Sequence, residues 1–121
     1  MALLALHHVQ LAMPSGGEDQ ARSFYRDVLG LVEVPKPDNL ARRGGCWFEM
    51  ANLRIHLGVQ EDFRAARKAH PALLVDDLAG LTARIDAAGF EVVSDEPLQG
   101  FERLYVYDPF GNRIELMQAV G

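Results

Sequence analysis

The two halves of this 121-residue chain repeat one sequence pattern, and the repeat restricts the folds open to it. Arg54-Ile55-His56-Leu57 in the first half is matched by Arg113-Ile114-Glu115-Leu116 in the second half. A glycine lies at the same distance upstream of each tetrapeptide, Gly30 in one half and Gly89 in the other. We therefore expect two copies of one structural unit, and each copy carries a metal-capable side chain at the equivalent position.

Hydrophobic spacing within each half predicts a strand, a helix and three further strands. In the first half, residues 6–12 alternate as a strand does, and residues 18–29 carry apolar side chains at helical spacing. The second half restarts at His70, and Asp77 is a suitable N-cap for a helix that Gly89 ends. The remaining strands are predicted at 31–34, 46–50, 54–59, 72–75, 90–93, 102–107 and 112–118.

This order predicts an α+β fold built from two βαβββ modules, at about 5–60 and 69–119, within a single domain spanning residues 1–121. A charged connector at 61–69, which we expect to contain a helical turn, joins the modules. Residues 38–45 are predicted to form a polar loop.

Composition excludes several classes of function. The net charge of −5 disfavours nucleic acid as a partner, because nucleic-acid binders concentrate positive charge. No apolar run approaches the roughly 20 residues that a membrane span needs. The single cysteine, Cys46, excludes an intrachain disulfide and fits a reducing cytoplasm. We expect Cys46 to be a buried strand residue rather than a nucleophile.

Strand alternation predicts a metal site. It places His8, His56 and Glu115 on the sheet faces turned away from the helices, while His7 points the other way and is expected to have a packing role. His70 opens the second unit. If the two faces meet, three imidazoles and one carboxylate converge, a donor set that suits zinc, nickel, cobalt, copper or ferrous iron.

Two chemistries fit this donor set. Two histidines and one carboxylate with open positions would suit ferrous oxygen chemistry, whereas four protein ligands would suit Lewis-acid work on a carbonyl or enolate. Tyr105 shares a face with Arg103 and Tyr107. It could project into the cavity as an acid or hydrogen-bond donor, and packing in the core or at the rim explains it equally well.

Three motifs resemble one known family. His8-Val9-Gln10-Leu11, the run from Phe24 to Leu31 (Phe-Tyr-Arg-Asp-Val-Leu-Gly-Leu), and the run from Asp108 to Leu116 (Asp-Pro-Phe-Gly-Asn-Arg-Ile-Glu-Leu) are similar to motifs of the vicinal oxygen chelate superfamily. That superfamily includes glyoxalase I, fosfomycin and bleomycin resistance proteins, methylmalonyl-CoA epimerase and extradiol dioxygenases. The resemblance covers essentially the whole chain.

The resemblance implies paired βαβββ units whose curved mixed sheets enclose a divalent metal, here Zn, Ni, Co, Mn or Fe(II). It implies that His8, His56, His70 and Glu115 are the metal ligands. In short members the two units often belong to different chains, so a homodimer with the site at the subunit interface is expected.

Some residues depart from individual branches of the superfamily. His56 stands where glyoxalase I normally has a carboxylate, and Gln10 stands where fosfomycin resistance enzymes keep a threonine. The triad of extradiol dioxygenases could be supplied by His8, His70 and Glu115, although the histidine expected near residues 96–98 is absent. The ligand set argues against the bleomycin-binding members, which generally lack it.

The sequence therefore predicts a cytoplasmic, metal-dependent enzyme of glyoxalase type, a lyase or isomerase acting on a small oxygenated substrate. Glu115 and His56 are the candidates for proton transfer, with Tyr105 as a further candidate catalytic residue. The alternatives are a ring-cleaving dioxygenase of the extradiol type and a non-catalytic protein that binds or sequesters a small molecule.

Overall fold

The computed structural model describes residues 1–121 and divides into two compact units, Met1–Arg64 and Ala65–Gly121. The first unit forms a four-stranded mixed sheet in the order β1-β4-β3-β2, with β1 parallel to β4 and the other neighbours antiparallel. Its elements are β1 (Val9–Met13), α1 (Glu18–Ala21) with a π-helical continuation (Arg22–Val28), β2 (Val32–Val34), α2 (Asp38–Ala41), β3 (Cys46–Met50) and β4 (Leu53–Val59).

The second unit repeats this arrangement. Its sheet has the order β5-β8-β7-β6, with β5 parallel to β8 and the other neighbours antiparallel. The elements are β5 (Ala72–Leu74), α3 (Leu78–Ala87), β6 (Val92–Val93), β7 (Phe101–Tyr107) and β8 (Arg113–Ala119). The predicted α+β fold of two βαβββ units is therefore confirmed. None of the helices is long and apolar enough to cross a membrane.

In each unit the helix covers one face of the sheet. Phe24 and Tyr25 are fully buried, and the Tyr25 ring stacks on Phe48 of β3 with ring centroids 5.5 Å apart. Phe48 pairs with Ile55 of β4, which is also buried. Burying each of these side chains contributes roughly 1.5–3 kcal/mol. The covered face fixes which β4 side chains remain on the other face, and His56 is one of them.

The helix of the second unit starts where the sequence predicts. Asp77 caps α3 by accepting a hydrogen bond from the Gly80 amide at 3.0 Å. A Cβ atom at Gly80 would lie 2.3 Å from an oxygen of the Asp77 carboxylate, so a larger residue at this position would make the cap side chain shift. Ile85 of α3 is fully buried, as are Ile114 and, almost entirely, Leu116 of β8. Glu115, which lies between them in β8, is thereby directed to the opposite face.

Three local predictions are wrong. Residues 38–45 include the short helix α2 and are not wholly loop, and the connector at 61–69 forms a turn and bends but no helix. His7 is exposed and has no core-packing role. His7 is exposed because β1 begins only at Val9, and no neighbouring strand pairs with the residues before it.

Candidate functional site

His8 and His56 lie together on one face of the first unit. Parallel pairing of β1 with β4 aligns Gln10 with His56, and antiparallel pairing of β3 with β4 aligns Trp47 with His56. The His8 ring stacks on the His56 ring with centroids 4.2 Å apart and an interplanar angle of 17°. Trp47 also stacks on His56, at 4.0 Å and 6°. The two predicted ligands of this unit are therefore neighbours within one aromatic stack.

The surroundings of His56 keep its imidazole neutral. The side chain is almost completely buried, and burial, with a smaller contribution from the charge of His8, lowers the pKa of His56 to about 4. A neutral imidazole retains the lone pair that a metal ion requires. His8 is more exposed, and its Nδ1 atom lies 2.9 Å from Nδ1 of His7.

His70 and Glu115 form the corresponding pair in the second unit. Nε2 of His70 lies 2.9 Å from Oε1 of Glu115, and Nδ1 of His70 lies 2.8 Å from the carbonyl oxygen of Lys68. Because that carbonyl can only accept, Nδ1 carries the proton, so Nε2 of a neutral His70 faces Glu115 as a second acceptor. Two acceptors this close need a proton or a cation between them. A histidine held by a backbone carbonyl in this way is typical of metal sites.

Arg103 holds the second oxygen of Glu115. Its Nη1 atom donates to Glu115 Oε2 at 3.3 Å and to the Tyr105 hydroxyl at 3.1 Å. Its Nη2 atom donates to Asp95 Oδ2 at 3.4 Å and to the Glu96 carbonyl at 2.7 Å. The Nε atom of Arg103 is buried and has no hydrogen-bond partner. The guanidinium is thus oriented toward Glu115 and Tyr105 even though one of its N–H groups is left unpaired.

Tyr105 lies where it can assist chemistry at Glu115. The two residues are direct partners in the pairing of β7 with β8, and the Tyr105 ring packs edge-on against His70 with centroids 5.2 Å apart. Its hydroxyl donates to Asp95 Oδ2 at 3.0 Å. A backbone hydrogen bond from Glu96, followed by this one, lowers the pKa of Asp95. Tyr105 is half-buried, and its hydroxyl takes part in a polar network with Arg103 and Asp95. The residue therefore does more than pack in the core.

The turn between β7 and β8 sets the starting point of β8. Asp108 is buried and accepts hydrogen bonds from the backbone amides of Phe110 and Asn112, each at 2.9 Å. Asn112, also fully buried, accepts from the Ala66 amide at 2.9 Å and so ties the connector to the turn. Because side chains alternate along a strand, this fixed start determines that Glu115 points to the face bearing Tyr105.

A cavity of about 240 Å³ opens in the first unit on the face that bears His56. Gln10 and Trp47, the two strand partners of His56, line it, as do Lys36 and Arg43. Gly58 of β4 also lines it, and a Cβ atom there would lie 2.7 Å from the Gln10 side chain. The missing side chain at Gly58 therefore leaves room for Gln10 beside His56.

The four predicted metal ligands come as two pairs, one in each unit. Neither unit by itself assembles three or more His, Cys, Asp or Glu side chains in an arrangement that could hold a metal. The four-ligand set remains a prediction. Sequence reasoning missed the positions of Trp47, Arg103 and Asp95 in these networks. Only the alternation of β7, which puts Arg103 on the face of Tyr105, gave a signal for one of them.

One known protein family matches almost the whole chain. The model of the Glyoxalase/Bleomycin resistance protein/Dioxygenase superfamily matches residues 5–116. The chain belongs to this superfamily. Comparison with curated protein sequences gives no significant match.

Solved structures of superfamily members share the fold. The crystal structure of a glyoxalase family protein from Bacillus anthracis is similar to the chain, with 42% identity and a TM-score of 0.94, over 99% of this chain and 98% of that one. The genomically encoded fosfomycin resistance protein FosX from Listeria monocytogenes, crystallised with Mn(II) and a sulfate ion, has 20% identity and a TM-score of 0.79 over 98% and 93%. A glyoxalase/dioxygenase from Nostoc punctiforme has 19% identity and a TM-score of 0.77 over 100% and 99%.

Proposed function

We propose that the protein is a metal-dependent enzyme that acts on a small oxygenated substrate by lyase or isomerase chemistry of the glyoxalase type. His8, His56, His70 and Glu115 would hold one divalent ion, Zn, Ni, Co, Mn or Fe(II). The observation that carries the proposal is the contact between His70 Nε2 and Glu115 Oε1, 2.9 Å apart, with Nδ1 of His70 hydrogen-bonded to the Lys68 carbonyl. A proton or a divalent ion would bridge the two atoms, and a histidine whose other nitrogen donates to a backbone carbonyl is typical of a metal ligand.

The donor set fits the ion. Imidazoles and one carboxylate suit borderline divalent metals, and His8 and His56 are neighbours whose ring centroids lie 4.2 Å apart. Because an imidazole binds metal in its ring plane, one of these two nearly parallel rings would have to turn for both to hold the same ion. His56 is neutral over the physiological range because its pKa is about 4. When bound, the ion would act as a Lewis acid on neighbouring oxygens of the substrate and stabilise negative charge that develops there.

The protein's own groups would move the proton. Glu115 is the candidate base, because its carboxylate lies on the sheet face turned away from α3 and is oriented by Arg103 through Oε2. The hydroxyl of Tyr105 is the candidate donor. It would turn its proton from Asp95 Oδ2 to a substrate oxygen, while the hydrogen bond from Arg103 Nη1 holds the phenol oxygen in place. His56 is the second candidate for proton transfer, and its pKa of about 4 makes its neutral ring a weak base at neutral pH.

One observation favours a different chemistry at the same site. The His56 ring is almost completely buried and stacks on Trp47 at 4.0 Å, which a purely packing role for His56 would also explain. The remaining ligands would then be His8, His70 and Glu115, the two histidines and one carboxylate of non-haem ferrous oxygenases. Ring-cleaving dioxygenation of the extradiol type is therefore the second candidate function.

The metal content of protein purified without a histidine tag or chelator tests the proposal. Near-stoichiometric divalent metal is expected in the wild type, with a loss in both His56→Ala and Glu115→Gln. Glu102→Gln is the matched control, because Glu102 is an exposed carboxylate on β7 that has no place in the site. Nickel, cobalt or zinc would favour the lyase or isomerase and iron the dioxygenase.

One outcome would contradict the enzyme, and another would change its ligand set. Protein that neither contains metal nor takes up divalent ions on incubation would leave a binding or resistance protein on the same fold. Metal that stays bound in Glu115→Gln as tightly as in Glu102→Gln would remove Glu115 from the ligand set.

We also propose a cytoplasmic homodimer in which the two ligand pairs of one site come from different subunits. Mixing the His56→Ala and Glu115→Gln proteins then restores intact sites, because a mixed dimer has one site free of both substitutions. Random subunit exchange would recover roughly a quarter of the wild-type metal. No recovery in dimers that have demonstrably exchanged subunits would place all four ligands within one chain.

A further inference from the structure

The repeated arginine of the two halves has different partners in the two units. Arg54 in β4 pairs across the sheet with Glu49 of β3, and Arg54 Nε lies 3.9 Å from a Glu49 carboxylate oxygen. The equivalent position in β8 is Arg113, and its cross-strand partner in β7 is Tyr107. The carboxylate that offsets the charge of Arg54 is therefore replaced by a phenol beside Arg113.

The charge of Arg113 is left without a counter-ion. Its Nε and Nη2 atoms both donate to the Tyr107 hydroxyl, at 3.2 and 3.0 Å. Its guanidinium carbon lies 4.5 Å from the centroid of the Tyr105 ring. No carboxylate lies within ion-pair distance of Arg113, so two tyrosines orient the guanidinium without neutralising it.

A second arginine packs on the ring of Tyr107. The Arg67 guanidinium carbon lies 4.8 Å from the Tyr107 ring centroid, and Arg67 likewise has no carboxylate partner. Backbone contacts hold it there, since the Arg113 amide donates to the Ala66 carbonyl at 2.8 Å. Arg67 is exposed and Arg113 is half-buried, so solutes can reach both guanidinium groups.

The carboxylates nearest in the sheet are already engaged. Glu115 lies two residues after Arg113 on the same strand face, and its oxygens contact His70 and Arg103. Asp95 is bound by Arg103 and Tyr105. Neither of these two carboxylates therefore forms an ion pair with Arg113.

We propose that Arg67, Tyr107 and Arg113, here named the arginine–tyrosine cluster, bind the anionic group of the substrate. An oxyanion such as a carboxylate, phosphate or phosphonate matches the planar fork of a guanidinium. The cluster lies on the sheet face that bears Glu115 and Tyr105. The next step rests on the proposed function: the substrate is then a small anion whose oxygenated carbon lies near Glu115. The binding of the anion itself does not depend on a metal.

Chelator-treated protein can be titrated with inorganic phosphate and, in a second series, with acetate, with binding followed by calorimetry and by amide NMR shifts. The wild type should bind at least one of the two, with shifts concentrated at Arg113, Tyr107 and Arg67. Replacing Arg113 with methionine should weaken binding by roughly tenfold or more, the factor expected for losing charge-assisted hydrogen bonds. Arg67→Met should weaken binding in the same direction.

The repeat supplies the matched control. Arg54→Met removes an arginine at the same position of the other unit, where Glu49 offsets the charge, and should leave anion affinity unchanged. Failure of the wild type to bind both anions, or equal weakening in Arg54→Met and Arg113→Met, would overturn the proposal. The relative affinity for the two anions distinguishes a phosphate-like from a carboxylate substrate.

Metal uptake separates this inference from the proposed function. Arg113→Met should retain wild-type metal content, because Arg113 contacts none of the four predicted ligands in the described hydrogen bonds and ion pairs. Anion binding in a protein that takes up no metal would sustain the cluster and contradict the enzyme. If Arg113→Met fails to fold, Arg113→Lys takes its place in the titration. This variant keeps the charge but loses the planar fork of the guanidinium, and it should bind anions with intermediate affinity.

Discussion

Replacing Arg103 with methionine should destabilise the protein, because its guanidinium holds two carboxylates at once. Arg103 Nη1 lies 3.3 Å from Glu115 Oε2, and the two side chains are only 14% and 9% exposed, so solvent screens this pair little. The contact of Nη2 with Asp95 is 3.4 Å long, and the Asp95 side chain is 43% exposed. The contact with Glu115 therefore dominates the expected effect.

The magnitude follows from opposing contributions. Removing one partner of a buried ion pair costs about 3–5 kcal/mol, and the exposed contact with Asp95 adds at most about 1 kcal/mol. Methionine also removes the Nε–H group of Arg103, which is buried without a partner. Relief of that penalty offsets about 1–3 kcal/mol. We expect a net loss of about 2–3 kcal/mol in the free energy of unfolding of the metal-free protein.

Urea unfolding of Arg103→Met, Glu115→Gln and the double variant measures this effect and its origin. A coupling energy of about 1–3 kcal/mol is expected from the cycle, because the two residues contact each other directly. Arg54→Met is the control, since its 3.9 Å contact with a one-third-exposed Glu49 should be worth no more than about 1 kcal/mol. Metal affinity of Arg103→Met should also fall by roughly 10–100-fold. Additive effects of Arg103→Met and Glu115→Gln would refute the argument that Arg103 orients Glu115.

Three further outcomes are expected. The metal-free protein should lose about 3 kcal/mol of stability as the pH falls from 6.5 to 4, because the pKa of His56 is lowered to about 4 in the folded protein and the unfolded chain binds the proton more readily. Unfolding measured at several pH values checks this. An undiminished acid dependence in His56→Gln would contradict it. Asp77→Ala should destabilise by about 1 kcal/mol through loss of the helix cap, with Asp77→Asn near wild type, in thermal unfolding. The thiol of Cys46, buried with its pKa raised to about 11, should resist alkylation at pH 8 until the chain unfolds; rapid labelling of native protein would disprove its burial.

The strands and the faces of the predicted ligands followed from short-range patterns in the sequence. Ile55 and Leu57 alternate with His56, and Ile114 and Leu116 alternate with Glu115, so burial of the apolar residues necessarily directs the other two to the opposite face. The start of α3 at Asp77 could likewise be predicted from the sequence, because the cap joins residues only three positions apart.

Features that depend on long-range contacts could not be predicted from local sequence patterns. Arg103 is a charged residue within a strand, and only the return of β8 beside β7 shows that it meets Glu115 instead of solvent. Alternation extended the first strand back past His7, although β1 starts at Val9, where pairing with β4 begins. The stacking of Trp47 on His56 depends on the register of β3 against β4, which no local pattern specifies.

One divalent ion bound by His8, His56, His70 and Glu115 is the basis of the proposed function. Crystals of the metal-loaded protein, measured with X-rays on both sides of the absorption edge of the bound metal, test it directly. One anomalous peak per site is expected, with a nitrogen of each histidine and a Glu115 oxygen about 2.0–2.2 Å away if the metal is zinc. A peak bound by other residues, or no peak in protein soaked with divalent ions, would contradict it.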